Sequence, residues 1–95
     1  PYKVSVLPLV KKYHSEKAKE IYNILNKSFM TSYDETGSIG KRYRRNDAIG
    51  TVFCLTVDDN TINNNTVTLR DRDTMEQITL DLNDVTDYVM KRVKF

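Results

Sequence analysis

The stretch KVSVLPLV, residues 3–10, is apolar on both of its alternating sets, Val4 and Val6 on one and Leu7 and Leu9 on the other. Successive side chains of a strand point to opposite faces. A strand apolar on both is therefore covered on both, as in sheets with helices on either side. Pro8 has no N–H to give to a ladder and belongs near the strand's end. Immediately downstream, HSEKAKEIYNILNKSF (residues 14–29) spaces Ala18, Ile21, Tyr22, Leu25 and Phe29 along one helical stripe. Ser15 is the expected N-cap, with Glu16 in the first turn where the helix dipole favours an anion. Strand then helix is the first half of a right-handed crossover unit.

Further along, MTSYDETG (residues 30–37) reads as a short polar strand ending in a turn at Gly37. A helix follows from about Ser38, its cap, to Asp47. TVFCLTV (51–57) is again apolar on both faces and so central, and DDNTINNN (58–65) reads as a loop with nothing to bury. In TVTLRDR (66–72) alternation is clean: Val67 and Leu69 on one face, Thr66, Thr68, Arg70 and Arg72 on the other. After the bend DRDTM, EQITLDL (76–82) points Ile78, Leu80 and Leu82 one way. Asn83 is the expected cap of a last helix, DVTDYVMKRVKF (84–95), with a stripe of Val85, Tyr88, Val89 and Arg92 or Val93. The expected order is β-α-β-α-β-β-β-α, without repeat or linker.

The 95 residues suit one domain, and the chain's 15 Lys and Arg against 13 Asp and Glu leave a net charge of only +2. Any attraction to phosphate must therefore come from local arrangement. No apolar run approaches the roughly 20 residues of a membrane span. The absence of an initiating Met suggests a fragment of a longer chain. Cys54, the single cysteine, lies inside VFCL and reads as a buried core thiol, in keeping with a reducing compartment. One histidine and one cysteine supply no nucleophile–base pair and no metal spacing. His14, at the mouth of the first helix, suits a solvated or capping role. The chain itself is not expected to be catalytic and needs no cofactor of its own.

Two clusters stand out. In GSIGKRYRRNDAIGT (37–51), Lys41, Arg42, Arg44 and Arg45 crowd into five residues. At 100° per residue Ile39 and Tyr43 share an inward side, and the four cations fan across the other. Only Asp47 is near to neutralise them, and like charges at this spacing repel. A solvated face and a grip on a phosphate backbone both fit, and arginine's fork suits the second. In TLRDRDTMEQ (68–77), Arg70 and Arg72 alternate with Asp71 and Asp73. Such a set serves as cross-strand ion pairs or as a base reader, because a carboxylate accepts from the cytosine amino group and a guanidinium stacks on a base. Phe53, Tyr33 and Tyr43 are candidate stacking surfaces.

ETGSIGKRYRRNDAIGTVFCLTVD (35–58) followed by TVTLRDRDTMEQITL (66–80) closely resembles the C-terminal anticodon-binding domain of eukaryotic and archaeal glycyl-tRNA synthetase, and PYKVSVLPLV is similar to that family's first strand. The resemblance covers nearly the whole chain as one domain, residues 1–95. It implies a three-layer α/β/α fold around a five-stranded mixed sheet with one strand antiparallel to the rest, and the pass along the chain adds three helices. It also implies a class II catalytic core upstream, absent here, using ATP and magnesium in a homodimeric cytoplasmic parent, with a mitochondrial one left open. The partner would be glycine tRNA. Its anticodons end in two constant cytosines, so Asp71 or Asp73 would accept from cytosine while Arg70 or Arg72 bonds or stacks. Lys41, Arg42, Arg44 and Arg45 would hold stem phosphates, which position without specifying. Ala48 departs from the family's usual acidic residue, and Thr51 and Val52 from its usual strand start. A related domain in the accessory subunit of mitochondrial DNA polymerase and a plain protein-interaction module are the alternatives.

Overall fold

A computed structural model of the chain describes residues 2–92. Strand β1 (Val4–Pro8) is buried along its whole length. It lies between two parallel neighbours, β2 (Thr31–Tyr33) and β3 (Phe53–Val57). Two antiparallel strands follow, β4 (Thr66–Asp71) and β5 (Gln77–Asp81), to complete the order β2-β1-β3-β4-β5. β4 alone runs against the other four, as the resemblance implied. Helix α1 (Lys11–Leu25) joins β1 to β2, and α2 (Ile39–Ala48) joins β2 to β3. The chain steps outward from β1 and then back past it. Right-handed crossovers in opposite directions put their helices on opposite faces of the sheet.

The first face holds the core. Val4, Val6, Phe53, Leu55, Val57, Val67 and Leu69 of the sheet pack against Ala18, Ile21 and Leu25 of α1 and Val85 and Val89 of α4 (Val85–Arg92). Each fully buried aliphatic side chain here contributes on the order of 1.5–3 kcal/mol. The second face carries Ser5, Leu7, Cys54, Thr56 and Arg70, and α2 packs on it. Towards β5 this face opens to solvent: Gln77, Thr79 and Asp81 are exposed beside half-buried Thr66 and Thr68. The three layers expected from sequence are present, and among the described helices α2 makes the third.

Three local expectations are corrected. The segment read as a bare loop folds into a short helix, α3 (Asp59–Asn64), so the described residues contain four α-helices rather than three. Its start is a reciprocal cap: the Asp58 carboxylate accepts from the Thr61 backbone N–H while the Thr61 hydroxyl accepts from the Asp58 N–H. Asn65 ends it in the left-handed conformation, φ 57°. Secondly, α1 begins at Lys11, so Ser15 sits inside the helix and Glu16 lies beyond the first turn. The N-cap residue is Val10, whose side chain caps nothing, and its N–H donates to His14 Nδ1 one turn into the helix at 3.0 Å. Thirdly, Asn83 lies within a 3-10 turn (Leu82–Asp84) ahead of α4, and the capping oxygen belongs to Asp81. The expected continuation of the last helix through residues 93–95, Val93 included, lies outside the described residues.

Candidate nucleic-acid interface

Helix α2 is framed by two local signals. The Ser38 hydroxyl accepts from the Lys41 N–H at 3.3 Å. At the other end Gly50, at φ 83°, lets the chain turn so that the Gly50 and Thr51 N–H groups reach the Asp47 and Asn46 carbonyls. Between these stops the inward stripe differs from the expected one. Ile39 and Tyr43 are half-buried, whereas Arg42 and Asn46 are the fully buried positions. Arg42 thus does not join the outward cations. Its guanidinium turns under the helix to donate to the Pro8 carbonyl through Nη1 and to the Leu9 carbonyl through Nη2 at 3.4 Å. Its buried Nε finds no partner.

Arg45 is also engaged. Its Nε and Nη2 make a fork on Asp34 at 2.9 and 3.0 Å, and Nη2 donates to the Thr36 carbonyl at 2.7 Å. The acid that neutralises Arg45 therefore comes from the loop before the helix, while Asp47 spends its carboxylate on β4. Arg45 keeps 47 % of its side chain exposed. Lys41 and Arg44 are exposed outright. The charge left for a phosphate backbone is these two, with Arg45 partly free.

The second cluster divides at the strand end. Arg70 is buried at 9 % exposure, forks onto Asp47 at 3.0 and 3.1 Å, and lies 5.0 Å from the centre of the Tyr43 ring. The bond to Asp47 raises its pKa further, against the opposing effect of burial, so it stays charged. This arginine clasps β4 to α2. Asp71, half-buried, uses Oδ1 to accept the Asp73 and Thr74 N–H groups at 2.8 and 3.3 Å, which shapes the turn. Arg72 and Asp73 lie in that turn, exposed and 3.3 Å from each other. The strict alternation read through residue 73 fails because β4 stops at Asp71.

The proposed stacking rings are placed differently too. Tyr43 donates or accepts at Thr56 Oγ1 and has Arg70 over its face. Tyr33 donates to Glu35 Oε2 at 2.6 Å and meets Tyr22 edge-on. The Tyr33 hydroxyl is pushed well above the usual phenol range by burial and by the Glu35 bond, while that bond holds the Glu35 carboxyl below its usual value. Phe53 is a core residue, 2 % exposed, with Tyr88 edge-on at 6.0 Å.

Phe53 nonetheless forms the floor of a cleft of about 290 Å³, with Leu69 and Ile78 beside it. Asp71, Thr74 and Glu76 come to the cleft from the β4–β5 hairpin, Tyr88 and Arg92 from α4. The Arg92 guanidinium lies 3.5 Å from the centre of the Tyr88 ring. Flat cationic and aromatic surfaces next to carboxylate acceptors are the groups that stack on a nucleobase and accept from its amino group. Of the residues expected at the site, Phe53 and Asp71 meet here. The α2 cations do not, because α2 packs on the other face of the sheet. Glu76, Tyr88 and Arg92 were missed as site residues. The Tyr88–Arg92 spacing of four on one helix is the signal that could have flagged a stacked pair.

An open α/β sheet with a basic helix on one face and this cleft on the other fits a nucleic-acid-binding module, and residues 3–92 match the anticodon binding domain family. The chain belongs to that family. Over all 95 residues it is 52 % identical to the glycine–tRNA ligase of Clostridium kluyveri and 50 % identical to that of Bacillus cereus, and it spans 20 % of each relative's length. The RNA-binding domain of Cryptosporidium parvum threonyl-tRNA synthetase shares the fold with a TM-score of 0.85 at 27 % identity, covering 94 % of this chain and 23 % of that one. Both ligases are bacterial, so the narrower eukaryotic and archaeal assignment expected from the motifs is not supported by them.

Proposed function

We propose that this chain is the anticodon-binding part of a glycine–tRNA ligase. It would hold the anticodon stem-loop of glycine tRNA while a catalytic core elsewhere in a homodimeric, cytoplasmic parent attaches glycine using ATP and magnesium. Family membership and full-length similarity to two glycine–tRNA ligases support the assignment. The observation that carries the mechanism is the cleft, where the carboxylates of Asp71 and Glu76 stand close to the Tyr88–Arg92 stack. A cytosine presents an amino donor to a carboxylate and a flat face to a ring or guanidinium. Lys41, Arg44 and the free part of Arg45 would grip phosphates, with Arg72 and Asp73 at the rim of the turn.

Titration with an anticodon stem-loop whose anticodon ends in CC, and with loops changed at either cytosine, tests this reading. A wrong base should weaken binding by about 1–3 kcal/mol. Arg92→Ala and Glu76→Gln should shrink that difference. Arg44→Ala should weaken all loops alike and flatten the salt dependence by roughly 0.7–0.9 in log–log slope. Equal binding to every loop by the unaltered chain would remove base reading from the account.

A further inference from the structure

The β4–β5 turn contains a methionine in a conformation that methionine avoids. Met75 has φ 63°, in the left-handed region that glycine and asparagine enter easily and other residues do not. The turn is otherwise well tied. The Asp71 N–H donates to the Glu76 carbonyl at 2.9 Å, the Met75 N–H to the Asp71 carbonyl at 2.9 Å, and the Glu76 N–H to the Thr74 hydroxyl at 3.2 Å. The left-handed step separates neighbouring side chains. Thr74 and Glu76 reach the cleft, while the Met75 sulfur goes to the opposite face and takes a hydrogen bond from Arg70 Nη2 at 2.9 Å. The same Nη2 donates to Asp47 Oδ2 on α2 at 3.1 Å. One guanidinium thus holds the basic helix with one hand and the turn with the other.

The geometry points to Met75 as a positioning residue. Its thioether, seated on Arg70, fixes the turn so that Thr74 and Glu76 keep their places in the cleft, and through Arg70 and Asp47 it joins the base-reading side to the phosphate-gripping helix across the sheet. The inference rests on the anticodon reading above for its effect on RNA, but the clamp itself is a statement about the unbound chain. Arg70 would be a poor choice for a test, since removing it leaves Asp47 unpaired and threatens the fold. Met75 is 60 % exposed and does not line the cleft, so its replacement spares both.

Met75→Asn separates the clamp from backbone preference, because the two make opposite forecasts. Asparagine suits the left-handed step, so backbone preference alone tightens the turn. Loss of the side-chain contact loosens it. Hydrogen exchange at the Asp71 amide reads the turn directly, without RNA. The clamp gives exchange roughly two- to tenfold faster in Met75→Asn, the range of one modest hydrogen bond. Met75→Gln, whose side-chain carbonyl can accept from Arg70 at similar reach, should restore the slow rate. In stem-loop titrations Met75→Asn should reduce discrimination between CC and altered loops by a similar factor, with the salt slope unchanged. An Asp71 amide as slow as in the unaltered chain, or slower, overturns the clamp. A faster amide with full base discrimination overturns the positioning role. Should the unaltered chain itself fail to discriminate, the anticodon reading falls, and the amide rates still decide the clamp.

Discussion

Arg42 offers the sharpest separation of structural from binding charge. In Arg42→Ala the Pro8 and Leu9 carbonyls at the end of β1 lose their guanidinium donors, and a long buried side chain is deleted beneath α2. A hydrogen bond from a charged donor is worth about 1.5–3 kcal/mol net, and an orphaned buried carbonyl costs a comparable amount. Against this, the desolvated Nε without a partner already subtracts from what Arg42 contributes. With the second bond long at 3.4 Å, the balance is a loss of about 2–4 kcal/mol. For a domain of this size 1 kcal/mol moves the melting temperature by roughly 4–8 °C, so the midpoint should fall by roughly 10–30 °C. Circular dichroism melts and urea titrations measure this directly, with an unchanged m-value reporting an intact unfolded reference. The comparison is Arg44→Ala, which should melt with the unaltered chain yet lower the salt slope of stem-loop binding by roughly 0.7–0.9. Arg42→Ala, assayed well below its melt, should leave that slope alone. If Arg42→Ala melted normally and lowered the slope as Arg44→Ala does, the buried placement of Arg42 would be wrong and the helix would present all its cations outward.

Two further outcomes follow from titratable groups. Burial pushes the Cys54 thiol up to about 12, so at pH 8 the folded chain keeps it as the unreactive thiol. Labelling by a thiol reagent should therefore proceed at the rate of unfolding and jump when urea passes the midpoint, and prompt labelling of the native chain would contradict the buried site. Glu35, held below its usual range mainly by the Tyr33 hydroxyl, is the depressed-carboxylate case. Its contribution is complete at neutral pH, above its unfolded value, and disappears as pH falls through its folded value. Melting temperatures measured from pH 6 to pH 3 should accordingly fall less steeply in Tyr33→Phe than in the unaltered chain, and parallel curves would show the bond to be idle.

Much of the fold can be read from one dimension because its causes are periodic. Both-face burial of residues 4–8 and 53–57, and one-face alternation from Val67 to Leu69 and from Ile78 to Leu80, place the strands and the α/β class. Caps are legible where the side chain is local: Ser38 was found, and Asp58 with Thr61 three residues on could have been, had the lack of apolar residues in DNTINN not hidden the helix. What resists reading is the polar residue that turns inward to a distant partner. Arg42 and Asn46 stand on the inward stripe at helical spacing, but a hydrophobicity criterion assigns that stripe to Ile39 and Tyr43 alone. Arg70 finds Asp47, and Arg45 finds Asp34, only once three elements have packed. The cleft is a further case, since Tyr88 and Arg92 reach Phe53 only because α4 lies back across β4 and β5.

The place of β1 in the sheet has a consequence for how the polypeptide is made. Its two partners lie on opposite sides, and β3 pairs with it only after two helices and the edge strand have been synthesised. A growing chain that has emerged only as far as α2 therefore carries a ribbon that is greasy above and below and still has one flank of amides and carbonyls unclaimed. That is the ingredient list for sticking to a neighbour. Pairing with VFCLTV closes that flank, and the β4–β5 hairpin, quick to form once its residues are free, then covers the edge that β3 still exposes.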